Sequence, residues 1–162
     1  MKKYILSFVV IFIFFIVFMQ SGVNDEDFVE AYENYYGITL PAPEQVEEIL
    51  ANRVEDGDAG EWVFLLDYEE QKIDWPATAL EQLTDTGALT ANEQIENYIK
   101  QTLAMNEGRE DFVDDKKALE DLQVVPQAGD YYFFIEENDG KDVLIVVAKP
   151  VDNKMYMLEW HH

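Results

Sequence analysis

The longest apolar stretch of the sequence is Tyr4–Gly22, which reads YILSFVVIFIFFIVFMQSG. Up to its methionine, the only polar groups in it are the Tyr4 hydroxyl and the Ser7 side chain. A helix of this length just spans a hydrocarbon core of about 30 Å and satisfies its own backbone hydrogen bonds in lipid. The pattern therefore predicts a transmembrane helix in residues 1–23, followed by one domain over residues 24–162.

The charges that flank this run predict its orientation. Lys2 and Lys3 precede it, and Asp25, Glu26 and Asp27 follow it. Because positive flanks stay inside, we expect the N-terminus in the cytoplasm and the following domain outside the cytoplasm, at the cell membrane. The alternative is a cleaved signal peptide, which would make the domain secreted. No pair of small residues with cleavage-site spacing closes the run, and this favours an uncleaved signal anchor.

The remaining chain shows short helical patterns first and strand patterns last. Apolar spacing and caps predict helices over Asn24–Tyr36, Asp74–Thr84, from the capping box Thr90–Glu93 to Gly108, and Glu110–Leu122. Runs of β-forming residues predict strands over Trp62–Tyr68, Tyr131–Glu136, Asp142–Lys149 and Lys154–Trp160. Tight turns join the last three strands, so they predict an antiparallel meander. The apolar run Val143–Ala148 indicates that its middle strand is buried on both faces.

One segment, Glu44–Val54, fits two structures. Its apolar residues have helical spacing, and Pro43 suits the first turn of a helix. The same residues fit a bent edge strand. With either assignment, the elements predict an α+β fold with helices packed on one face of an antiparallel sheet.

Three short motifs resemble a group of small membrane-anchored proteins of Gram-positive bacteria. They are Leu40-Pro41, the segment Gly57–Glu61 running into a strand that ends at Asp67, and a late hairpin that begins with Tyr131–Phe134. The resemblance implies an α+β fold and favours a strand over Val46–Val54, paired as a hairpin with the next strand. It implies no activity and no site residues.

Charge limits the classes of partner. The chain has 34 acidic and 11 basic residues, and leaving out Lys2 and Lys3 gives the exported part a net charge of −25. This charge repels phosphate backbones and anionic lipid headgroups, so we expect no nucleic acid partner and a domain that stands off the bilayer. A basic protein surface or cations are the complementary partners, and a simple solvated surface is the alternative reading.

Residue types exclude several kinds of enzyme. Serine occurs only at Ser7 and Ser21, cysteine is absent, and the two histidines are the last residues, His161 and His162. A Ser–His–Asp or Cys–His nucleophile system therefore cannot be built in the exported part. We interpret His161 and His162 as an unremarkable terminus, with adventitious metal binding or the remnant of a tag as alternatives.

Carboxylates leave two further chemistries. A pair about 5–10 Å apart could cleave glycans, and Glu61, Asp67 and Asp74 are the candidates around the first predicted strand.

Calcium is the other carboxylate chemistry. The start of the acidic loop resembles an EF-hand, but Glu61 stands where that loop requires glycine. A looser cage would use Glu55, Asp56, Asp58 and Glu61, and an ordinary hydrated turn is the alternative.

We therefore expect a membrane-tethered extracytoplasmic protein that is not an enzyme and acts as an interaction or accessory module. A carboxylate-dependent cell-wall glycan hydrolase and a calcium-binding module are the alternatives. No cofactor other than calcium is expected.

Overall fold

The computed structural model of the chain describes residues 25–53 and 59–162. The predicted transmembrane segment and the loop residues Glu55, Asp56 and Asp58 lie outside these ranges. None of the helices inside them is long and apolar enough to cross a membrane. The chain divides into two compact units, Met1–Pro43 and Glu44–His162.

The described part of the first unit contains helix α1, Asp25–Tyr36, close to its predicted bounds. Gly37 ends the helix at φ +68°, where its N–H donates to the carbonyl of Glu33 at 2.9 Å. Glycine takes this left-handed conformation without a steric cost. One face of the helix carries a stripe of aromatic rings, since the ring of Tyr32 lies 4.9 Å from Phe28 and 6.0 Å from Tyr36.

The second unit is built on one six-stranded antiparallel sheet. Its strands are β1 Gln45–Arg53, β2 Gly60–Asp67, β3 Glu81–Gln82, β4 Tyr131–Glu137, β5 Asp142–Lys149 and β6 Lys154–His161. They lie in the order β1-β2-β6-β5-β4-β3. The α+β class and the C-terminal meander are thus confirmed, and β2 joins the meander by pairing with β6.

Two helices, α2 Asp85–Met105 and α3 Val113–Glu120, pack on one face of this sheet. Their buried side chains form one apolar core with inward side chains of β1, β2, β5 and β6. The core comprises Leu50, Val63, Ile95, Tyr98, Phe112, Leu119, Val124, Val143, Ile145, Val147, Leu158 and Trp160. All residues from Val143 to Ala148 are buried, so the middle strand is covered on both faces as predicted.

The ambiguous segment Glu44–Val54 is a strand over its described residues. It pairs antiparallel with β2, and a β-bulge between Glu48 and Leu50 interrupts the register. A bulge adds one residue to one strand, so two successive side chains can point the same way. Ile49 and Leu50 accordingly both reach the helix-side core. The bulge explains why the apolar spacing of this strand imitates that of a helix.

The predicted helix over Asp74–Thr84 is wrong. The segment forms a 3₁₀ turn, Trp75–Ala77, and then the short strand β3. The Thr78 hydroxyl donates to the carbonyl of Trp75 at 2.7 Å and so ends the turn. The side chain of Trp75 is buried against Tyr68 and Tyr131, which removes it from any helical stripe.

The start of the next helix was also predicted wrongly. Helix α2 begins at Asp85, because Thr84 is its N-cap and accepts a hydrogen bond from the N–H of Gly87 at 3.2 Å. Thr90, expected to cap it, lies one turn inside and bonds the carbonyl of Thr86. Both threonines have a side chain that can cap a helix. Because β3 lies directly before Thr84, the helix begins after Thr84 and not after Thr90.

Gly60, the first residue of β2, has no room for a side chain. A Cβ there would overlap the backbone carbonyl oxygen of Asn52 and lie 2.9 Å from the Trp62 ring. We expect Gly60→Ala to lower the free energy of unfolding by about 1–3 kcal/mol, measured by denaturant titration.

Gly87 is the matched control because it lies in the first turn of α2. Its added Cβ would lie 3.1 Å from the flexible end of Leu83 and in ordinary contact, at 3.5 Å, with the Thr84 hydroxyl. Gly87→Ala should leave stability unchanged or raise it by up to about 1 kcal/mol. Equal effects of the two substitutions would contradict the packing described for Gly60.

Candidate functional site

Polar side chains gather at the end of the sheet where β2 begins and β6 ends. We call them the strand-end cluster: Asn52, Glu61, Asn106, Asp142, Glu159, His161 and His162. Strand register brings them together, since Glu61 lies opposite Asn52 of β1 and Asp142 of β5 lies opposite His161. Glu61 and His161 are on opposite faces of the sheet, so the cluster has two halves.

The helix-side half is built around a buried carboxylate. Glu61 is only 2% exposed and accepts a hydrogen bond from the Asn52 amide. The same amide donates to the side-chain oxygen of Asn106 at 3.0 Å, and the Arg109 guanidinium donates to that oxygen at 2.7 Å. The His162 Nε2 atom lies 3.4 Å from the Glu61 carboxylate. These partners compensate the cost of removing a charged group from water.

Tyr98 of α2 links this half to the backbone of the sheet. Its hydroxyl lies 2.9 Å from the carbonyl of Trp62 in β2 and 3.0 Å from that of Glu159 in β6. Burial raises the pKa of Tyr98 well above its ordinary value, and the negative charges of Glu61 and Glu159 raise it further. The hydroxyl therefore stays protonated and remains a donor. Its ring stacks on Trp160 at 5.0 Å.

The second half holds an imidazole between two carboxylates. His161 Nε2 lies 2.7 Å from Glu159 and Nδ1 lies 3.0 Å from Asp142, whose carboxylate also accepts from Asn138. Burial alone would lower the pKa of His161, but the hydrogen bonds and charges of Glu159 and Asp142 raise it overall. The ring also meets Trp62 edge-on at 5.8 Å. This half favours a protonated imidazole.

The geometry of the second half suits the holding and exchange of protons. The His161 ring fills the space between Glu159 and Asp142, where an acid–base pair for glycan cleavage would need a sugar and a water. Within residues 25–53 and 59–162, no group of three or more His, Asp or Glu side chains is arranged to hold a metal ion.

The residues singled out by sequence are not brought together. Glu61 lies in the strand-end cluster, and the other calcium candidates lie outside the described residues. Asp67 is at the far end of β2, about 20 Å from Glu61 at the usual rise per strand residue. It bonds the N–H of Glu69 and pairs with Lys154 at 3.6 Å. Asp74 precedes the 3₁₀ turn and makes no capping bond.

The histidines were missed because the last strand was predicted to end at Trp160. It continues to His161, which pairs with Asp142 of β5. Glu159 and His161 are two residues apart and so share a face of the strand, opposite a strand that begins with an acid. This alternation was the signal available in the sequence.

Comparison with known proteins gives no match: no family model, no curated protein and no solved structure is significantly similar to this chain.

The double contact of Tyr98 predicts a measurable loss on its removal. Tyr98→Phe deletes only the hydroxyl, so the carbonyls of Trp62 and Glu159 lose a buried donor. We expect the free energy of unfolding to fall by about 1–2 kcal/mol in denaturant titration. Tyr156→Phe is the matched control, because Tyr156 packs on the same core and its hydroxyl makes no bond within the described residues. A loss as large in the control would refute this role.

The position of His161 predicts a pH dependence of stability. Its pKa is raised in the folded state, so its contribution is complete below the ordinary histidine value of about 6.5 and is lost as pH rises through the folded-state value. His161→Gln should therefore destabilise the protein most at pH 5.5–6, with the difference from wild type shrinking towards pH 9. Thermal melts over this range measure it.

The control for this series is again Tyr156→Phe, which leaves both histidines and all carboxylates in place. It should keep the pH dependence of the wild type. A constant difference between wild type and His161→Gln at every pH would show that the imidazole acts only by packing.

Proposed function

We propose that this protein is a membrane-tethered extracytoplasmic module that binds the basic surface of a partner protein and catalyses no reaction. The tether would be the apolar run Tyr4–Gly22, with Lys2 and Lys3 on the cytoplasmic side. The net charge of −25 on the remaining chain supports a basic partner and opposes a nucleic acid.

The observation that carries the proposal is the crowding of exposed carboxylates. Glu44 and Glu69 lie close enough to share a hydrogen bond, and Asp67 and Glu70 add further negative charge. Together these effects raise the pKa of Glu69 above its ordinary value. We call these four residues the acidic patch; Lys154, beside Asp67, is the cation paired with it among the described residues.

A cationic partner can bind like charges that the fold holds close together. The backbone N–H of Glu44 donates to the carbonyl of Asp67 at 2.9 Å, and Glu69 follows β2 at φ 46°, so the main chain fixes the spacing. A lysine or arginine of a partner would relieve the mutual repulsion of these carboxylates on binding. The acidic patch therefore supports recognition of a basic surface.

The buried polar groups support a role without catalysis. In the strand-end cluster, Glu159, Asp142 and His161 bind one another, and Glu61 binds Asn52. These carboxylates thus have hydrogen-bond partners inside the protein, which supports a structural role for them. Turnover of a cell-wall glycan by the full chain, lost on replacing a single carboxylate, would overturn this part of the proposal.

The first experiment is cross-linking of the full-length protein in intact cells, followed by purification and mass spectrometry. We expect one recurrent partner with a basic extracytoplasmic surface. Failure to recover any partner above background would count against the proposal. A melting temperature raised by millimolar calcium would instead favour a calcium module, since a ligand that binds only the folded state stabilises it.

The acidic patch predicts how the interaction depends on charge. Recovery of the partner should fall steeply between about 0.1 M and 1 M salt, where the screening length drops from about 10 Å to 3 Å. The double substitution Glu44→Gln with Glu69→Gln should weaken recovery without lowering thermal stability, because it removes two acidic groups that the fold holds against like charge.

The matched control is Glu93→Gln with Glu96→Gln, which removes the same charge from the exposed surface of α2. If this variant weakens recovery equally, only the net charge matters and the acidic patch has no special role.

A further inference from the structure

Within the described residues, the outer edge of β4 is unpaired over most of its length. β4 spans Tyr131–Glu137, but its neighbour β3 pairs only with Tyr131 and Tyr132. From Phe133 to Glu137, no strand of the described residues lies on the outer side of β4, while its inner side pairs with β5 throughout. The backbone groups that point outwards there have no described strand to pair with.

The hydrogen bonds next to β3 show which groups point outwards. The N–H of Leu83 donates to the carbonyl of Asp130 at 2.8 Å, so Asp130 faces the outer side. Alternate residues of a strand present their N–H and C=O to the same side, which makes Phe134 and Glu136 outward-facing. The carbonyl of Glu137 faces the other way and accepts from the turn residues Gly140 and Lys141. Four backbone groups, two donors and two acceptors, are therefore available to an added strand.

The two edges of the sheet differ in how they resist pairing. The opposite edge, β1, carries a bulge, which is a usual protection against strand addition. β4 has an unbroken register with β5 and half-buried apolar side chains at Phe133 and Ile135. No proline or lysine interrupts it. Its open part is thus suited to accept another strand.

Charge selects the occupant. The open part of β4 ends in Glu136 and Glu137, and β3 contributes Glu81; neither strand has a lysine or arginine. A second copy paired through this edge would bring its own carboxylates to the same sheet edge, which like-charge repulsion disfavours. A basic segment gains instead from the same charges.

We propose that the outer edge of β4 binds an extended segment of a partner protein as a seventh strand. The segment has apolar residues opposite Phe133–Ile135 and two basic residues opposite Glu136 and Glu137. Its main chain supplies the hydrogen bonds and its side chains supply the selectivity. This inference rests on the proposed function and names the part of the partner that is bound.

The order of apolar and basic residues in the bound segment depends on its direction relative to β4, so peptides of opposite order test the inference. An antiparallel segment reads from basic to apolar, and a parallel one reads from apolar to basic. The probes are two capped peptides, Gly-Lys-Lys-Val-Ile-Val-Gly and Gly-Val-Ile-Val-Lys-Lys-Gly, with Gly-Glu-Glu-Val-Ile-Val-Gly as the charge control. They are titrated against the full-length protein in detergent micelles, with amide hydrogen exchange as the readout.

We expect one of the lysine peptides to bind and the glutamate peptide to fail. Binding should slow exchange at the amides of Phe134 and Glu136, while those of Phe133 and Ile135, already paired with β5, stay unchanged. Glu136→Pro removes an outward N–H that the fold does not use, so affinity should drop about tenfold or more. Glu136→Ala is the matched control, because it keeps the N–H and should lose less affinity.

A second variant keeps the test decisive if the proline disturbs folding. Glu136→Lys with Glu137→Lys retains every backbone group and should reverse the preference towards the glutamate peptide. Equal binding by the Glu136→Pro variant, protection at other amides, or a dimer formed through β4 would overturn the inference. In cells, equal cross-linking of a partner to wild type and to Glu136→Pro would refute binding at the β4 edge but would not contradict the proposed function.

Discussion

The structure of the second unit depends on the position of β6 between β2 and β5. Every residue of β2 from Gly60 to Asp67 pairs with β6, and β5 pairs with the other side of β6 along its whole length. The first hairpin and the C-terminal meander therefore form one sheet only through this strand. Its inward residues Leu158 and Trp160 lie in the same core as the helices, so pairing and burial reinforce each other.

This arrangement also explains why charged groups are buried at the end of β6. Pairing on both sides fixes the face to which Glu159 and His161 point, and there Asp142 and the Trp62 ring lie against the His161 ring. Burying a lone charge is costly, and removing one partner of a buried pair costs more than the pair itself contributes. The cluster therefore makes the end of the sheet specific for one register, because a slip of one residue would separate His161 from Asp142.

The periphery of the sheet is where interaction with other molecules becomes plausible on physical grounds. The middle strand at its centre is covered on both faces, and the buried carboxylates Glu61 and Glu159 bind partners inside the protein. What remains outward is a dense negative charge, concentrated where Glu44 and Glu69 meet, and the open backbone of β4. The proposal of an extended, basic partner segment rests on these two features, since negative charge attracts such a segment and an unpaired strand edge can bind its main chain.

The sequence by itself determined the strands of the meander, the both-sided burial of β5 and the aromatic face of α1, because these depend on local alternation, turn residues and helical spacing. Only the tertiary structure decided three other features. The bulge at Ile49 gives β1 an apolar spacing like that of a helix. A short strand before Thr84 sets the start of α2. His161 acquires its carboxylate partner 19 residues away only when β6 pairs with β5. Each depends on contacts between distant segments, which periodicity within one segment does not encode.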